Sequence, residues 1–337
     1  MQHCANVSTT STAVSVCRVD SLSLGADRDA AKNRAPPGTQ AGGRGTGGSM
    51  KIANVAGRLH LVRDGRVLDV GKASGGRLPS EPSEAYAHWP ELTAWAAEQQ
   101  DESFTELLDV TELGAPSPAP RQVFALGTNY RKHAEEVGWP IPETPMVFTK
   151  FPTSITGPGA HVEITGPRVD WEVELVVVIG TGGYRIAETD AWSAIAGFTV
   201  GQDISDRDVQ MRPESYPQFG LGKSFPGFAP TGPVVATLDE VGDPHDLGLR
   251  CWVNGEPMQD GRTDDLVFSI PSVVAYLSDV VTLLPGDLIF TGTPSGVGSG
   301  RRPPRYLAAG DEVRSSIDGI GEMTTAFVDR RARGQSR

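Results

Sequence analysis

The sequence of 337 residues contains few cysteines, no long apolar run and no excess of positive charge. Its three cysteines, Cys4, Cys17 and Cys251, show neither paired spacing nor a zinc-knuckle pattern, which argues against a disulfide framework and fits a reducing cytoplasm. No segment approaches the roughly 20 apolar residues that span a bilayer, and the N-terminus lacks a charged-then-apolar signal pattern. A soluble, cytoplasmic protein is therefore expected.

The formal net charge of −12 restricts the kinds of partner that the chain could bind. Nucleic acids and anionic membrane surfaces are both repelled by the long-range field of such a protein. A small anionic substrate would need a local basic pocket. No nucleic-acid or membrane partner is therefore expected.

Glycine and proline are abundant, with 40 and 26 residues that together form about a fifth of the chain. This share is above ordinary usage but below that of low-complexity chains, and it is typical of many turns between short strands. The composition therefore favours a β-rich fold.

Changes in composition divide the chain into four segments. Residues 1–49 are rich in Ser, Thr, Ala and Gly without a sustained period of 2 or 3.6, and we expect a disordered tail. Met50 begins a folded pattern, so the tail could also be an artefact of start-site choice. Residues 50–120 are predicted to form a small N-terminal domain and linker, residues 121–329 the main domain, and residues 330–337 a short basic tail.

Local patterns predict individual elements within these segments. Asp64-Gly65 is a strong hairpin dipeptide between two short alternating strands. The segment HWPELTAWAAEQQDESFTELLDV predicts one or two amphipathic helices. Beyond Pro120 most apolar runs are short and predict strands, whereas IPSVVAYLSDVVTLL predicts a helix that ends at Pro285-Gly286.

The stretch VDWEVELVVVIG, from Val169 to Gly180, places two glutamates at the start of an apolar strand. Successive side chains of a strand point to opposite faces, so Glu172 and Glu174 share a face and Val173 faces away. Partly buried carboxylates either take up protons or require a cation, and oxygen ligands suit magnesium, manganese or calcium better than zinc. The alternative is a surface strand whose glutamates pair with Lys or Arg.

A second apolar strand, in GFTVGQDISDRDVQ, ends at Asp203 and supplies a candidate third ligand. The following residues read as helical, which places Arg207 and Gln210 at i+4 and i+7 on the face of the aspartate. A guanidinium and an amide beside a metal form a receptor for a metal-chelating organic acid. Alternatively, Arg207 only pairs with Asp208 or Asp203.

The segment ALGTNYRKHAEEVGWPIPETP predicts a strand, a short helix capped by Asn129 and ended near Gly138, and a loop that could form a lid. One helical turn places His133 beside Glu136, where the carboxylate can orient the imidazole and raise its basicity. The pair is a candidate general base. An ordinary surface pair is the alternative, and Glu135 is a competing partner.

Two glycine-rich loops carry further candidates. The segment LPGDLIFTGTPSGVG bears Thr291, Thr293 and Ser295 on a loop that could offer N–H groups and hydroxyls to an anion. It is neither a P-loop nor a dinucleotide fingerprint. Lys223, in GLGKSFPGFAPTGP, is a lone cation that could equally be an ordinary surface lysine.

Six motifs in one order, GTNYRKHAEE, MVFTKFPTSITGPG, VDWEVEL, GQDISDRDVQ, GKSFPGFAPTGP and LPGDLIFTGTPSGVG, resemble the fumarylacetoacetate hydrolase family. The resemblance covers roughly Val123 to Val328, which makes residues 121–329 the catalytic domain. It implies an α+β, mostly β fold, a mixed β-sheet roll with short helices and a small N-terminal domain, in a homodimer.

The same resemblance assigns roles to the candidate residues. It implies that Glu172, Glu174 and Asp203 hold Mg²⁺ or Mn²⁺, and that His133, Glu136 and Lys223 are catalytic. The residues implied to bind the substrate are Tyr130, Arg207, Gln210 and Thr293. Lys223 is also implied to hold the 2-oxo-carboxylate end of the substrate.

The implied activity is hydrolytic C–C cleavage of a 2,4-dioxo acid in catabolism, through a metal-stabilised enolate. Fumarylacetoacetate hydrolases proper carry an aspartate ligand just before the tyrosine of the histidine segment, where this chain has Thr128-Asn129-Tyr130. The chain is therefore more similar to the compact branch of acylpyruvases, diketo-sugar-acid hydrolases, oxaloacetate decarboxylases and hydroxymuconate-type isomerases. Decarboxylation or isomerisation of a 2-oxo acid, and a non-catalytic metal-binding role, are the alternatives.

Overall fold

A computed structural model describes residues 50–329 of the chain. The predicted disordered tail, residues 1–49, and the predicted basic tail, residues 330–337, lie outside the described residues. None of the helices within residues 50–329 has the length and apolar composition that crossing a membrane requires. Cys251, the cysteine that lies within this range, is buried and free.

Strands dominate the described residues, and there are nineteen of them. In chain order they are β1 (Lys51–Val55), β2 (Arg58–Arg63), β3 (Arg66–Asp69), β4 (Glu106–Leu107), β5 (Leu113–Gly114), β6 (Val123–Gly127), β7 (Met146–Thr149), β8 (Ile155–Thr156), β9 (His161–Ile164), β10 (Val169–Asp170), β11 (Val173–Ile179), β12 (Ile195–Gln202), β13 (Ser205–Asp206), β14 (Ala229–Ala236), β15 (Gly248–Val253), β16 (Glu256–Arg262), β17 (Leu288–Phe290), β18 (Glu312–Ile317) and β19 (Gly321–Asp329).

The helices are short, and those of the same region are α1 (Val70–Ala73), α2 (Trp89–Ala97), α3 (Arg131–Val137), α4 (Ala191–Ala194), α5 (Arg207–Gln210), α6 (Phe219–Gly222), α7 (Leu238–Val241) and α8 (Ile270–Val280). Segments of 3-10 helix lie at Pro82–His88, Asp101–Ser103, Val110–Glu112, Pro152–Ser154, Glu188–Asp190, Thr263–Asp265 and Gly298–Gly300.

The strands form one large sheet and two smaller ones. The path of the twelve-stranded sheet is β4-β3-β2-β1-β14-β12-β11-β17-β6-β7, with β5 on β1 and β8 on β14. A five-stranded sheet has the order β16-β15-β18-β19-β9, and β10 pairs with β13. Most pairs are antiparallel, whereas β8 on β14, β6 on β17 and β9 on β19 are parallel. The predicted α+β, mostly β fold with mixed sheets is confirmed.

Strand β11 lies inside the large sheet and is buried along its whole length. Its sequence VELVVVI is rich in β-branched side chains, which suit a strand that is covered on both faces. Val173 and Leu175 contribute to one apolar cluster, and Val176 and Val178 to another on the opposite face. The apolar run that follows Glu174 is thus explained by two layers of packing.

The N-terminal elements agree in part with the sequence-based predictions. The hairpin of β2 and β3 turns at Asp64 and Gly65, whose φ values of 47° and 71° suit a two-residue hairpin turn. The first half of the predicted helical segment forms α2, but its second half contains the edge strand β4. Strand β1 pairs with β14, so residues 51–69 extend the large sheet. The predicted domain boundary near residue 120 stays a prediction.

The helix predicted over residues 270–284 is shorter than expected, because α8 ends at Val280. Leu283 instead forms an isolated bridge with Gly183. The apolar residues after Val280 are therefore extended, and the turn at Pro285-Gly286 leads into β17.

Candidate metal centre and active site

The register of two neighbouring strands brings the three predicted acidic ligands together. In the antiparallel pair of β11 and β12, Glu174 lies opposite Gly201. Beyond this pair the N–H of Asp203 donates to the carbonyl of Glu172 at 2.9 Å. Opposed residues and residues two apart share a face, so all three carboxylates project to the same side. The predicted shared face of Glu172 and Glu174 is thus explained.

The carboxylates of Glu172, Glu174 and Asp203 are buried and offer oxygen atoms within 4.8 Å of one another. Burial, with the nearby charges of Asp203 and Glu172, raises the pKa of Glu174 well above its usual value. Burial would also raise the pKa of Glu172, but Lys223 and Arg207 outweigh it and lower that pKa to about 2. Glu172 is thus held as a carboxylate, whereas burial and two acidic neighbours disfavour the charge of Glu174.

Lys223 is not an ordinary surface lysine, because its side chain is 3% exposed. Its Nζ donates to Oε2 of Glu172 at 2.8 Å and to Oδ2 of Asp203 at 2.5 Å. Burial lowers its pKa by itself, but Asp203 and Glu172 outweigh this effect and raise it above the usual value. The lysine is held as an ammonium at the predicted metal centre.

Lys150 is a second buried lysine of this centre, and sequence reasoning did not identify it. Its Nζ donates to Oδ1 of Asp203 at 2.6 Å and to the carbonyl of Lys223. The side chain is fully buried directly after β7, and burial lowers its pKa. The available signal was a lone cation at the end of the apolar run MVFT.

Arg207 contacts a different acidic partner from those considered in the sequence. Its guanidinium donates to Oδ2 of Asp170 at 2.8 and 2.9 Å and to Oε1 of Glu172 at 2.6 Å. Its Nη1 donates to Oε1 of Gln210 at 2.9 Å. Asp203 precedes the single turn α5 instead of lying in it, so the predicted i+4 and i+7 helical spacing is wrong.

Asp170 was also missed, although it has the same strand parity as Glu172. Besides Arg207, its carboxylate accepts the backbone N–H groups of Trp171, Gly298 and Ser299 at 2.7–2.9 Å. The side chain is completely buried. Asp170 therefore joins the guanidinium to the C-terminal glycine-rich loop.

The predicted histidine–glutamate pair is present on α3. Nδ1 of His133 lies 3.0 Å from Oε2 of Glu136, and the two side chains are 11% and 16% exposed. Asn129 does not cap this helix, because its side chain instead bonds Phe268 and Thr291. His133 is thus buried and Glu136 half-buried, and Glu136 is the partner of the histidine.

The C-terminal glycine-rich loop directs its N–H groups at the protein's own carboxylates. Gly292 donates to Oε2 of Glu174 and Gly296 to Oε1 of Glu136, each at 2.8 Å. Both glycines have φ values near +100°, at 97° and 110°, a region that L side chains rarely adopt. The loop therefore fixes a predicted metal ligand and the acid of the dyad in the same way.

A cavity of about 290 Å³ connects these groups. The residues that line the cavity include His133, Glu172, Arg207, Gln210, Lys223 and Thr293. Trp139, Phe148 and Phe219 form an aromatic wall. The ring centroid of Phe219 lies 5.7 Å from that of Phe148 and 6.2 Å from that of Trp139. The cavity therefore brings the histidine of the dyad, one predicted acidic ligand and three Lys or Arg side chains to a common space.

Tyr130 and Thr293 were both predicted to bind the substrate, and Thr293 lines the cavity. The hydroxyl of Thr293 donates to the carbonyl of Val173 at 2.9 Å and accepts from Gln259 at 2.7 Å. Tyr130 is fully buried, and burial together with Glu174 raises its pKa. Its hydroxyl has no protein partner among the described residues. Substrate binding by either residue stays a prediction.

The donor set of the acidic centre fits a hard divalent cation. All three side chains present carboxylate oxygens, and these lie within 4.8 Å of one another. Magnesium and manganese prefer such oxygen ligands. Glu172, Glu174 and Asp203 are therefore the residues that would hold the ion.

A mostly β fold with three buried carboxylates beside a cavity lined by a histidine is the arrangement expected of a metal-dependent enzyme. Residues 122–328 match the model of the fumarylacetoacetate (FAA) hydrolase C-terminal family. The chain belongs to this family, as the six motifs predicted.

Curated relatives of the chain include oxaloacetate tautomerases. The chain is 42% identical over 285 residues to oxaloacetate tautomerase YisK of Bacillus subtilis (strain 168), covering 78% of this chain and 93% of that protein. It is 47% identical over 216 residues to the mitochondrial oxaloacetate tautomerase FAHD2A of Homo sapiens, covering 64% and 68%. Since the relatives include mitochondrial and bacterial proteins, the cytoplasmic location stays a prediction.

Solved structures share the fold over most of the chain. An HpcE-like protein of Mycobacterium smegmatis is 50% identical with a TM-score of 0.79, covering 83% of this chain and 100% of that one. Maleylpyruvate hydrolase from Sphingobium sp. SYK-6, in complex with manganese(II) and pyruvate, is 29% identical with a TM-score of 0.69, covering 83% and 99%. The family therefore includes isomerases and hydrolases, and the predicted homodimer stays a prediction.

Proposed function

We propose that this protein is a divalent-metal-dependent enzyme that moves a proton at the carbon beside the 2-oxo group of a small 2-oxo acid, as in keto–enol tautomerisation of oxaloacetate. The observation that carries the proposal is the His133–Glu136 dyad, whose His133 lines the same cavity as Glu172 and Lys223. The names of two relatives, oxaloacetate tautomerases at 42% and 47% identity, support this reaction.

The dyad supplies the base. Glu136 lies on the Nδ1 side of His133, so a hydrogen bond from Nδ1–H leaves the lone pair on Nε2. Nε2 takes the proton from carbon 3 of the keto acid and returns it to the 2-oxo oxygen, which gives the enol without consuming any other reactant. General-base catalysis of this kind contributes roughly 10²–10⁴-fold.

The cationic side chains of the site can bind and stabilise the negative charges of the substrate. Arg207 and Gln210 line the cavity and can bind the carboxylate beside the 2-oxo group. The ammonium of Lys223 stabilises the charge that develops on the 2-oxo oxygen as the carbon loses its proton. When bound at Glu172, Glu174 and Asp203, a Mg²⁺ or Mn²⁺ ion supplies a Lewis acid for the 2-oxo group.

A second candidate is hydrolysis of a 2,4-dioxo acid, which was the activity expected from the resemblance. The aromatic wall of Trp139, Phe148 and Phe219 favours it, because it can accept the apolar tail of such a substrate. His133 would take a proton from water, whose oxygen adds to the distal carbonyl. The bond between carbons 3 and 4 then breaks, and protonation of carbon 3 gives a 2-oxo acid and a carboxylic acid.

Product analysis separates the candidates. The Mn²⁺-loaded protein is mixed with the enol of oxaloacetate, and the decay of ultraviolet absorbance is compared with that in Mn²⁺ alone, while pyruvate formation reports decarboxylation. Parallel reactions with acetylpyruvate report hydrolysis as acetate and pyruvate. We expect faster enol–keto conversion without pyruvate. Cleavage of acetylpyruvate alone would favour the hydrolase, and no acceleration of any reaction would leave a non-catalytic metal-binding protein.

A further inference from the structure

Arg168 lies directly before β10 and lines the cavity beside Ser299 and Tyr306. Its Nε donates to Oδ1 of Asp208 at 2.6 Å, and its Nη2 lies 2.5 Å from the same oxygen. The two side chains are 48% and 41% exposed, so solvent screens this ion pair and makes it weak. Arg168 can therefore exchange Asp208 for another carboxylate at little cost.

The other Lys and Arg side chains that line the cavity within residues 50–329 have buried partners. Arg207 is 12% exposed and bonds Asp170 and Glu172, and Lys223 is 3% exposed and bonds Glu172 and Asp203. Removing either cation from its partners would leave buried carboxylates unpaired, which is costly. Arg168 is thus the lining cation that is available for a further anionic group.

The charges that line the cavity also favour a substrate with more than one negative charge. Among the described lining residues there are three Lys or Arg side chains but one carboxylate, that of Glu172. Tyr306 lies next to Leu307, which forms a bridge with Val169. The hydrogen bond to Asp208 raises the pKa of Arg168, and Tyr306 adds to this effect. Arg168 and Tyr306 therefore form a cationic corner of the cavity.

We propose that this corner binds the second carboxylate of a dicarboxylic 2-oxo acid, which makes Arg168 a specificity-determining residue. The inference rests on the proposed function, because it takes the first carboxylate and the 2-oxo group to lie at the acidic centre. A bidentate guanidinium–carboxylate contact replaces the screened pair with Asp208. The competing destination for the substrate's tail is the aromatic wall, which suits a neutral tail.

Two substrates of the same size test the assignment: oxaloacetate and its 4-amide, 2-oxosuccinamate, which lacks the second charge. The preference is kcat/KM for oxaloacetate divided by kcat/KM for the amide, both measured with the Mn²⁺-loaded protein. Arg168→Met is expected to lower this ratio about tenfold, as the loss of a hydrogen bond to a charged group does. Asp208→Asn is expected to raise it, because Arg168 loses its competing partner.

Arg185→Met is the matched control, since Arg185 pairs with Asp279 at 3.5 Å on the surface and both side chains are about 70% exposed, at 69% and 73%. It is expected to leave the ratio unchanged. The rise in unfolding temperature that each of the two compounds causes gives a second measure of preference, by binding without turnover. If neither compound reacts with the wild type, the proposed function fails, while these shifts still test Arg168. An unchanged preference in Arg168→Met, by kinetics or by binding, overturns the assignment and directs the tail to the aromatic wall.

Discussion

The ammonium of Lys223 lies 2.8 Å from Oε2 of Glu172, so one of the three predicted metal ligands is already paired with a buried cation. The same nitrogen lies 2.5 Å from Oδ2 of Asp203. A divalent ion held by the three carboxylates would therefore share two of them with this ammonium and be repelled by it. The ammonium of Lys223 would weaken metal binding but would stabilise negative charge on the substrate.

Replacing Lys223 with methionine is expected to strengthen metal binding and weaken catalysis. Mn²⁺ affinity should rise about tenfold, since a like charge within 4–6 Å changes a site's equilibrium by roughly one to three powers of ten. Turnover should fall roughly 10²-fold or more, because the developing charge loses a donor. Calorimetric titration with Mn²⁺ and the enol–keto assay measure the two effects.

Lys132→Met, at an exposed lysine of α3, is the control and should change neither quantity. Weaker Mn²⁺ binding in Lys223→Met would contradict the expected competition between the ammonium and the ion.

Glu174→Gln is expected to affect the metal-free and metal-loaded proteins differently. The pKa of Glu174 is raised by burial and by Asp203 and Glu172, so its charge destabilises the fold without a metal. Glutamine keeps an oxygen for the N–H of Gly292 but is a poor metal ligand. The metal-free variant should thus unfold at the same temperature as the wild type or above it.

With Mn²⁺ at about 100 times its dissociation constant, the wild type should gain about 2.7 kcal/mol of stability and the variant much less. Thermal unfolding with chelator and with Mn²⁺ gives both comparisons. Glu188→Gln, at an exposed glutamate of a 3-10 helix, is the control. An equal Mn²⁺ effect in Glu174→Gln would remove Glu174 from the ligand set.

The clustering of the three acidic side chains could be predicted because strand alternation is a simple rule. Glu172 and Glu174 differ by two positions, and Asp203 directly follows the neighbouring strand β12, so alternation and register place the three on one side. The partners of Arg207 could not be predicted in this way. They depend on α5 being a single turn after β13, which is a matter of tertiary packing.

The roles of buried groups were also hard to predict from local patterns. Lys150 follows a strand of four residues, and only the fold brings its Nζ to Asp203, 53 positions away. Thr293 lines the cavity, and only the fold brings its hydroxyl to the carbonyl of Val173, 120 positions away. Long-range contacts therefore decided which polar groups face the cavity and which support the strands.

The dyad can be tested with an internal control of the same geometry. His88 and Glu91 are also three residues apart, with Nδ1 and Oε2 at 3.0 Å, but their side chains are 48% and 71% exposed. His133→Gln should lower kcat roughly 10²–10⁴-fold, because it removes the base. His88→Gln should leave kcat unchanged. Steady-state kinetics with circular dichroism of each variant distinguish loss of the base from loss of folding.

Glu136→Gln should lower kcat less than His133→Gln, because the histidine remains but loses its negative partner. The same change at Glu91 should have no effect. Full activity in His133→Gln would assign the base to another residue and remove the main support for the proposed reaction.

Lys150→Met is expected to destabilise the metal-free protein by about 3 kcal/mol, the lower end of the cost of breaking a buried ion pair. The protein is destabilised because Asp203 loses the hydrogen bond of 2.6 Å from Lys150. The loss stays at the lower end because Lys223 remains as a partner of Asp203. Urea denaturation measures the loss. Mn²⁺ should reduce it, because an ion at the acidic centre supplies positive charge to Asp203.

Lys51→Met is the matched control, since the Lys51–Glu240 pair spans 3.5 Å and its side chains are 29% and 23% exposed. Its cost should stay below about 1 kcal/mol, as for surface pairs. In the background of Asp203→Asn the cost of Lys150→Met should shrink, because the neutral amide no longer needs a cation. Equal costs in both backgrounds would show that Lys150 stabilises the fold by packing and not through Asp203.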